Sequence, residues 1–433
     1  MIQINTIIQK ISYYLVLFLP ISLISGPFLS DLTVTFVSIF VIANLKLIIN
    51  RQIITKKIFL IFFLFNIWII LSSLVSEHFL FSIKSSIFYF RFIIFSFGIY
   101  YFLNIDSKFG LKFFYILLAA FFALILDGYF QFFFGSNILG FNLQAGPRVS
   151  SFFNDELILG SYLSRLLPLL IGLYLYNINN FSDKKKIITT LIALSLILSE
   201  CLVFLSGERA AFFFINLSAF FMIIFLKGFK LIRIFTLAIS FILIIIIVKF
   251  QPSSMERIVD LTLKQTGIFN KSSRIVMFSD LHENYYKTSF NIFKSNYIIG
   301  AGPKTFRKNC SNPKYLINIY SCTTHPHNTY LQLLSETGII GFSLIFLLFL
   351  RIVYFSFHEF FFRYKNISDD EKPKYNFKIC LITCFLITLW PFIPSGNFFN
   401  NWLSIIYYLP LGFFISLIYR DINNKVYPNE FKK

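Results

Sequence analysis

Two histidines separated by a single proline stand at the end of the longest polar segment of the chain. His325 and His327 flank Pro326, and Asn328 follows directly before an apolar run. Pro326 disfavours a helix at the residue before it, whereas Asn is a favoured N-cap residue, so a helix is expected to begin after Asn328. The positive end of a helix dipole disfavours an imidazolium, which leaves His327 neutral and able to accept a proton. His327 is the predicted general base and His325 the alternative base, with a purely structural, hydrogen-bonded histidine as the competing interpretation.

Three arginines lie in or beside polar segments that separate apolar runs. Arg148 follows a Gly-Pro pair, Arg209 lies in a tight hairpin between two apolar runs, and Arg274 opens a segment with helical periodicity. A guanidinium group binds phosphate oxygens through two parallel hydrogen bonds, so the three arginines predict an anion site. Contact with lipid headgroups, or an ion pair such as that of Arg209 with Glu208, is the alternative.

Other residues of the long polar segment, 251–330, have plainer expectations. Lys304, Arg307 and Lys308 add positive charge and are expected to lie in a solvated loop. Cys310 and Cys322 would form a disulfide if this segment lies outside the cytoplasm, because oxidising compartments allow such bonds to persist.

A metal site is a further alternative for the histidine pair. Its other ligands would come from the acidic residues Asp280, Glu283 and Glu336. The spacing of these residues matches no known ligand signature, and no Cys/His set has zinc spacing. No metal and no cofactor is therefore predicted, and His282 and His358 stand in no notable context.

The elements that must position these residues are apolar helices. Of the 433 residues, 57% are hydrophobic and the mean hydropathy is +0.72, against roughly 45–50% apolar residues in soluble domains. Apolar runs near the roughly 20 residues that cross a bilayer predict an all-α, polytopic membrane protein with about twelve spans. The predicted spans are 11–29, 32–49, 58–75, 87–103, 113–134, 157–176, 187–205, 209–226, 234–250, 338–356, 379–394 and 402–419.

The positive charge of the chain is explained by topology. The net charge is +19, but Lys and Arg lie mostly in short loops on alternate sides of the predicted spans, which is the positive-inside pattern. These loops and both termini are predicted to be cytoplasmic, and nucleic acid is not an expected partner. The opposite, periplasmic face then receives the loops 135–156, 206–209 and 251–330.

The long periplasmic loop is predicted to contain an amphipathic helix on the outer membrane surface. Ser273 is its expected N-cap, and the turn Gly300-Ala-Gly-Pro303 is expected to end it. Apolar residues recur at helical spacing, namely Ile275, Phe278, Leu281, Tyr285 and Ile292.

Four blocks, taken in order, resemble motifs of the O-antigen ligase and polymerase superfamily of bacterial inner-membrane proteins. The histidine block, His325-Pro-His-Asn-x-Tyr-Leu-Gln-Leu-Leu-x-Glu-Thr-Gly-Ile-Ile-Gly341, is similar to the family's most recognisable motif. In the first block Ser151 replaces the usual Gly, and the usual Pro-Asn is absent. The other blocks are Arg148-Val-Ser-Ser-Phe-Phe-Asn154 with Leu159-Gly-Ser-Tyr-Leu163, Leu205-Ser-Gly-Glu-Arg-Ala210, and Ser273-Arg274 with Ile298-Ile-Gly-Ala-Gly-Pro-x-x-Phe306.

The resemblance implies a helical glycosyltransferase-like architecture and a metal-independent reaction at the periplasmic face of the bacterial inner membrane. It divides the chain into N-terminal transmembrane helices, 1–134, and a ligase-like region, 135–433. The glycan donor would be linked to undecaprenyl diphosphate, and the acceptor would be a sugar hydroxyl of lipid A-core. Arg209, Arg274 and Arg148 would bind the diphosphate and His327 would be the base. Membrane lipids are the remaining expected partners.

Other functions remain open at this level. A polymerase that joins lipid-linked repeat units shares these blocks, as does a transferase with a protein acceptor. A lipid or polyanion transporter would place charged residues inside its spans. The available residues of that kind are Arg91, Asp127 and Arg165.

Overall fold

The chain folds as a bundle of helices. Within the described ranges the regular structure is helical, apart from two isolated β-bridges in the loop between 135 and 148. The prediction of an all-α fold is therefore confirmed. The computed structural model describes residues 6–48, 57–250, 252–266, 278–364 and 367–426.

The longer helices are numbered here in chain order. In the first half they are α1 (Thr6–Leu17), α2 (Pro27–Ala43), α3 (Lys57–Leu74), α4 (Phe79–Ser86), α5 (Arg91–Ile105), α6 (Phe109–Phe134) and α7 (Leu159–Tyr176). In the second half they are α8 (Lys185–Leu205), α9 (Arg209–Phe225), α10 (Lys230–Phe250), α11 (Asp280–Ser295), α12 (Thr329–His358), α13 (Lys372–Thr388) and α14 (Asn401–Val426).

Seven helical segments of the described chain are long and apolar enough to cross a membrane. They are Phe79–Ile105 (α4 continued by α5), α6, α7, α8, α10, α12 and Asn401–Ile418 of α14. Shorter apolar stretches lie in α2, α3 and α9. The chain is thus a multi-pass membrane protein, and the count of twelve spans stays a prediction.

The first predicted span, 11–29, differs from a single helix. A one-turn helix, Leu19–Ser22, follows α1 and has Pro20 in its first turn. Gly26, with a φ of 116°, then precedes Pro27 at the start of α2. Proline has no N–H to donate and is favoured where helices begin, so each proline starts a new helix instead of continuing the previous one.

Helix α7 is central in the bundle and helix α10 is peripheral, as the burial of their side chains shows. In α7, 89% of the most apolar window is buried, whereas in α10 only 17% is. Helix α7 packs against α13 and α9, while α10 packs against α8 and α9. The buried side chains of Arg233 on α10 and Glu200 on α8 form an ion pair between the two helices.

The loops at one end of the bundle contact one another closely. The Arg148 Nε donates to the carbonyl of Ser206 over 2.8 Å, joining the α6–α7 and α8–α9 connections. The Asn328 Nδ2 donates to the carbonyl of Pro391 over 2.9 Å, joining the start of α12 to the α13–α14 connection. We call this the site end of the bundle.

The amphipathic helix of the long loop begins later than predicted. Ser279 is non-helical, and its side chain accepts a hydrogen bond from the N–H of His282, so Ser279 is the N-cap of α11. The predicted cap, Ser273, lies outside the described residues. The helix ends at Ser295, ahead of the Gly300 turn, and packs on α12 through Ser289, whose Oγ donates to the Leu331 carbonyl.

The glycine turn after α11 packs into a kink of α12. Gly338 has a φ of +66° inside α12, and a β-carbon there would lie 2.1 Å from the carbonyl oxygen of Ile298. A β-carbon on Gly300 would lie 2.4 Å from the Gly338 nitrogen. Both positions therefore require glycine. This explains the glycine of the Thr-Gly pair in the histidine block and the first glycine of the Gly-x-Gly turn.

The segment between this turn and the histidines is closed by a disulfide. Cys310 and Cys322 are bonded, with their Cα atoms 5.0 Å apart. Cys310 is fully buried and packs with Phe306 and Tyr315 in a small separate core. The bond ties the chain just before His325 to the helical turn Phe306–Asn309.

Candidate functional site

The connection between α8 and α9 gathers an arginine cluster of Arg148, Arg209 and Arg257. Arg257 Nε donates to the Gly207 carbonyl over 3.0 Å, and Arg148 is bonded to the preceding carbonyl of Ser206. A β-carbon at Gly207 would lie 2.9 Å from Arg257 Cδ and 3.2 Å from Arg148 Nε, and its φ is +64°. Only glycine fits this position, so the hairpin brings the guanidinium groups together.

The end of α6 fixes the loop that carries Arg148. The Oε1 of Gln131 accepts hydrogen bonds from the N–H groups of Ser150 and Ser151, at 2.9 and 2.7 Å. The buried Asp127 carboxylate accepts from Ser151 Oγ at 2.6 Å and from the N–H of Ile138 at 3.0 Å. Asp127 therefore has a structural role in holding this loop. A transporter would instead be expected to use such a charged residue for transport.

Glu208 joins the same hairpin to the start of α7. Its carboxylate accepts from the N–H groups of Gly160 and Ser161, at 2.6 and 3.0 Å, where the helix dipole favours a negative charge. Burial nevertheless raises the pKa of Glu208 to about 7, against the opposing effect of these N–H groups and of Arg148. Glu208 thus holds the backbone beside the arginine cluster.

Two histidines and an aromatic pair from different segments meet next to this cluster. The ring centroids of His325 and His327 are 4.1 Å apart. Helix α11 contributes His282 and Tyr285, whose ring centroids lie 5.6 and 5.7 Å from that of His327. Burial is the largest cause that lowers the pKa of His282 to about 4, and the neighbouring His327 and Arg209 lower it further. His282 therefore connects His327 to the arginine cluster.

The backbone at His327 is held in a conformation that few residues adopt. Its φ is +55°, which is uncommon for a residue other than glycine and, where it occurs, is often found at functional sites. The N–H of Ser395 donates to the His327 carbonyl over 2.9 Å. The Asn328 side chain accepts from the N–H groups of Tyr330 and Leu331, which confirms the predicted cap and the start of the helix after Asn328.

The two histidines differ in their hydrogen bonds. His325 has Nδ1 2.9 Å from Thr324 Oγ1 and Nε2 3.3 Å from the Ser395 carbonyl oxygen. Within the described part of the chain, neither ring nitrogen of His327 has a hydrogen-bond partner. Burial lowers the pKa of both rings, that of His325 to about 3 with further lowering by His327. Both imidazoles are neutral at pH 7, and His327 has its nitrogens available for a substrate.

A cavity of about 620 Å³ opens beside His325. It lies between the α1–α2 turn, the start of α7, the start of α9 and the α13–α14 connection. His325 lines this cavity, whereas His327 and the arginine cluster do not. Its charged lining residues are Glu156, Arg165, Glu208, Lys304 and Arg307.

Lys304 is not simply solvated, contrary to the expectation from sequence, whereas Arg307 is exposed as expected. Glu336 of the histidine block is buried, and its carboxylate accepts from the N–H groups of Lys304 and Phe306, at 2.9 and 3.0 Å. This fixes the turn, and Lys304 is half-buried with a φ of +62°. Burial and the neighbouring Arg307 charge lower the pKa of Lys304.

In the described chain, the residues other than glycine that have a positive φ lie around the site. The left-handed region is occupied, apart from glycines, by Ser151, Asn154, Lys304 and His327. Phe152 and Phe153, which lie between the first two, also line the cavity. The family motif has a glycine where this chain has Ser151. The left-handed φ of Ser151 is a conformation that glycine adopts readily, so it agrees with a glycine at this position in the family. The site is therefore built on turns that the surrounding contacts hold in place.

Sequence reasoning found part of this site. The structure brings Arg148, Arg209, His325 and His327 together as predicted, while Arg274 lies outside the described residues. Arg257 and His282 were missed. For His282 the available signal was its three-residue spacing from Tyr285 on a predicted helix, which places both on one face.

The other interpretations receive little support in the described ranges. No group of three or more His, Cys, Asp or Glu side chains there is arranged to hold a metal ion. Arg91 forms an ion pair with Asp31, at 2.5 Å. His358 lies at the far end of α12, between the rings of Tyr354 and Phe362.

Comparison with known families agrees with the site. Residues 193–346 match the model of a family described as O-antigen ligase. No curated protein matches the chain. The matched residues include the Arg209 hairpin, Arg257, His282 and the histidine block, so they contain most of the site described above. The resemblance to the O-antigen ligase and polymerase superfamily is thereby confirmed over residues 193–346.

Proposed function

We propose that the protein is an O-antigen ligase-like glycosyltransferase that moves a glycan from undecaprenyl diphosphate to a sugar hydroxyl of lipid A-core. One observation carries the proposal. The arginine cluster and His327, which are far apart in sequence, converge through His282 at one end of the bundle. An anion site beside a neutral base is what transfer from a diphosphate-linked sugar requires.

The chemistry balances with these groups alone. The acceptor oxygen attacks the anomeric carbon of the donor sugar while its proton passes to a ring nitrogen of His327. The bond between that carbon and the diphosphate oxygen breaks, and the diphosphate leaves with the electron pair. Arg148, Arg209 and Arg257 stabilise the added negative charge on the leaving group. On the resemblance, Arg274 would join them.

The distribution of charge supports a periplasmic site and cytoplasmic termini. The end of the bundle opposite the site carries the basic connections at 106–112, 182–186, 226–233 and 368–378, as the positive-inside rule expects of the cytoplasmic side. The Cys310–Cys322 disulfide also belongs in an oxidising compartment. Both observations favour the inner membrane with the site facing the periplasm.

The test replaces His327 by alanine in the native host and compares lipopolysaccharide on a gel. Loss of the base is expected to reduce transfer by roughly 10²–10⁴-fold. The long chains attached to core should disappear while polymer accumulates on the lipid carrier. His358→Ala is the matched control, because it removes the same residue type from the other end of α12.

The other outcomes are informative. Accumulation of single lipid-linked repeats would identify a polymerase. Unchanged glycans, with the variant protein present in the membrane at the normal amount, would remove His327 from the mechanism. A transporter would instead trap lipid-linked glycan on the cytoplasmic side.

A further inference from the structure

The cavity beside His325 contains positive charge that the proposed reaction does not use. Arg165 of α7, Lys304 and Arg307 line it from different elements. The arginine cluster does not line the cavity, although Glu208, whose carboxylate interacts with both Arg148 and Arg165, does. The proposed function assigns the diphosphate to the arginine cluster, which leaves these three cations without an assigned role in the reaction.

Arg165 is the most informative of the three. Its side chain is buried, at 3% exposure, and its Nη1 has no hydrogen-bond partner within the described residues. The Nε donates to Ser161 Oγ over 3.2 Å, and the guanidinium carbon lies 4.7 Å from the ring centroid of Phe214. The aromatic contact holds the guanidinium group in place, yet leaves a buried cationic N–H unsatisfied. Such a group is costly to bury without a partner.

The acidic residues of the cavity offset only part of this positive charge, since Glu208 interacts with Arg165. The Glu208 carboxylate is bonded to the backbone at the start of α7, and burial raises its pKa to about 7. Glu156 is exposed at the rim. A ligand carrying negative charge would therefore gain from Arg165, Lys304 and Arg307 together.

The shape of the cavity suits a sugar. A volume of about 620 Å³ lies within the roughly 300–1,000 Å³ of small-ligand pockets. Phe152, Phe214 and Trp402 supply aromatic surface, and Asn397 and Asn400 supply polar groups. His325 lines this space and its ring centroid lies 4.1 Å from that of His327, so a sugar bound here lies close to the proposed base.

We propose that this cavity is the acceptor subsite and that it takes an acceptor sugar bearing an anionic group, a carboxylate or a phosphate, bound by Arg165, Lys304 and Arg307. This inference rests on the proposed function. It adds the class of acceptor to it, namely an acidic rather than a neutral glycan.

The test measures binding without transfer. The full chain in nanodiscs is titrated with octyl glucuronide, octyl glucose 6-phosphate and the neutral octyl glucoside. At least one anionic probe should bind about tenfold more tightly than the neutral one, since charge-assisted hydrogen bonds add that much. Arg165→Gln and the double variant Lys304→Gln/Arg307→Gln should each lose the preference. Undecaprenyl diphosphate should bind both variants within about twofold of the unsubstituted chain.

The controls separate the two proposals. Arg165→Lys keeps a charge and should retain part of the preference, and the double variant covers the case in which Arg165→Gln fails to fold. Equal binding of the anionic and neutral probes to the unsubstituted chain would overturn the inference. So would competition of undecaprenyl diphosphate with the preferred probe, because the anion would then belong to the donor site. His327→Ala should keep the preference, so failure of the gel test leaves this measurement intact.

Discussion

The two flanks of the candidate site, namely the arginine cluster and the cavity beside His325, are built differently, although each contains three arginine or lysine residues. In the arginine cluster, Arg148 and Arg257 are bonded to consecutive carbonyls of one hairpin. In the cavity, Arg165 has a buried nitrogen without a partner in the described chain. The first flank is preorganised by its own backbone, as a site for a fixed leaving group should be. The second is completed by its ligand, as a site that selects among acceptors should be.

Among the variants that compare the two flanks, Arg209→Ala is expected to have the largest effect. Removal of one electrostatic contact to a leaving group costs roughly 10²–10³-fold in kcat. In a transfer assay with purified protein, kcat should fall with the acceptor KM nearly unchanged. Arg165→Gln is the comparison and should raise the acceptor KM with a smaller change in kcat. If both variants changed the same parameter, the two flanks would not have separate roles.

The next largest expected effect is the change of kcat/KM with pH. Burial lowers the pKa of His327 below its usual value, so the neutral, active form persists to lower pH than for an exposed histidine. The acid limb of kcat/KM should therefore fall below about pH 6.5, the ordinary histidine pKa. Activity is retained above the lowered pKa and is lost as the pH falls through it. An acid limb near pH 7 would instead point to Glu208, whose pKa is about 7.

Gly207→Ala should produce a smaller loss. The added methyl would lie 2.9 Å from Arg257 Cδ and 3.2 Å from Arg148 Nε, at a φ of +64°, so both side chains must move. We expect roughly a tenfold lower kcat, equivalent to about 1.4 kcal/mol in the barrier. Gly228→Ala is the matched control, because Gly228 has a φ of +76° but open space around its β-position. Equal losses in both variants would assign the effect to the backbone alone.

The sequence predicted the framework better than the site. The apolar runs located the helices, and Asn328 located the start of α12, because both signals are local. The Ser273 cap was misplaced relative to α11 because Ser279 offers the same capping group nearer to the helix. Arg257 and His282 join the site only through tertiary contacts with Gly207 and His327. No spacing along the chain reports such contacts.

The pairing of Arg233 with Glu200 has a mechanical consequence. In lipid, helices gain no hydrophobic stabilisation from one another, and α10 is the least buried of the apolar helices considered as spans. A buried ion pair contributes to its attachment to α8, and the loss of either partner would leave an uncompensated charge. The chain leaving α10 carries Arg257 directly to the hairpin. The position of Arg257, which the proposed function assigns to the diphosphate, is thus linked to an ion pair most of a helix length away.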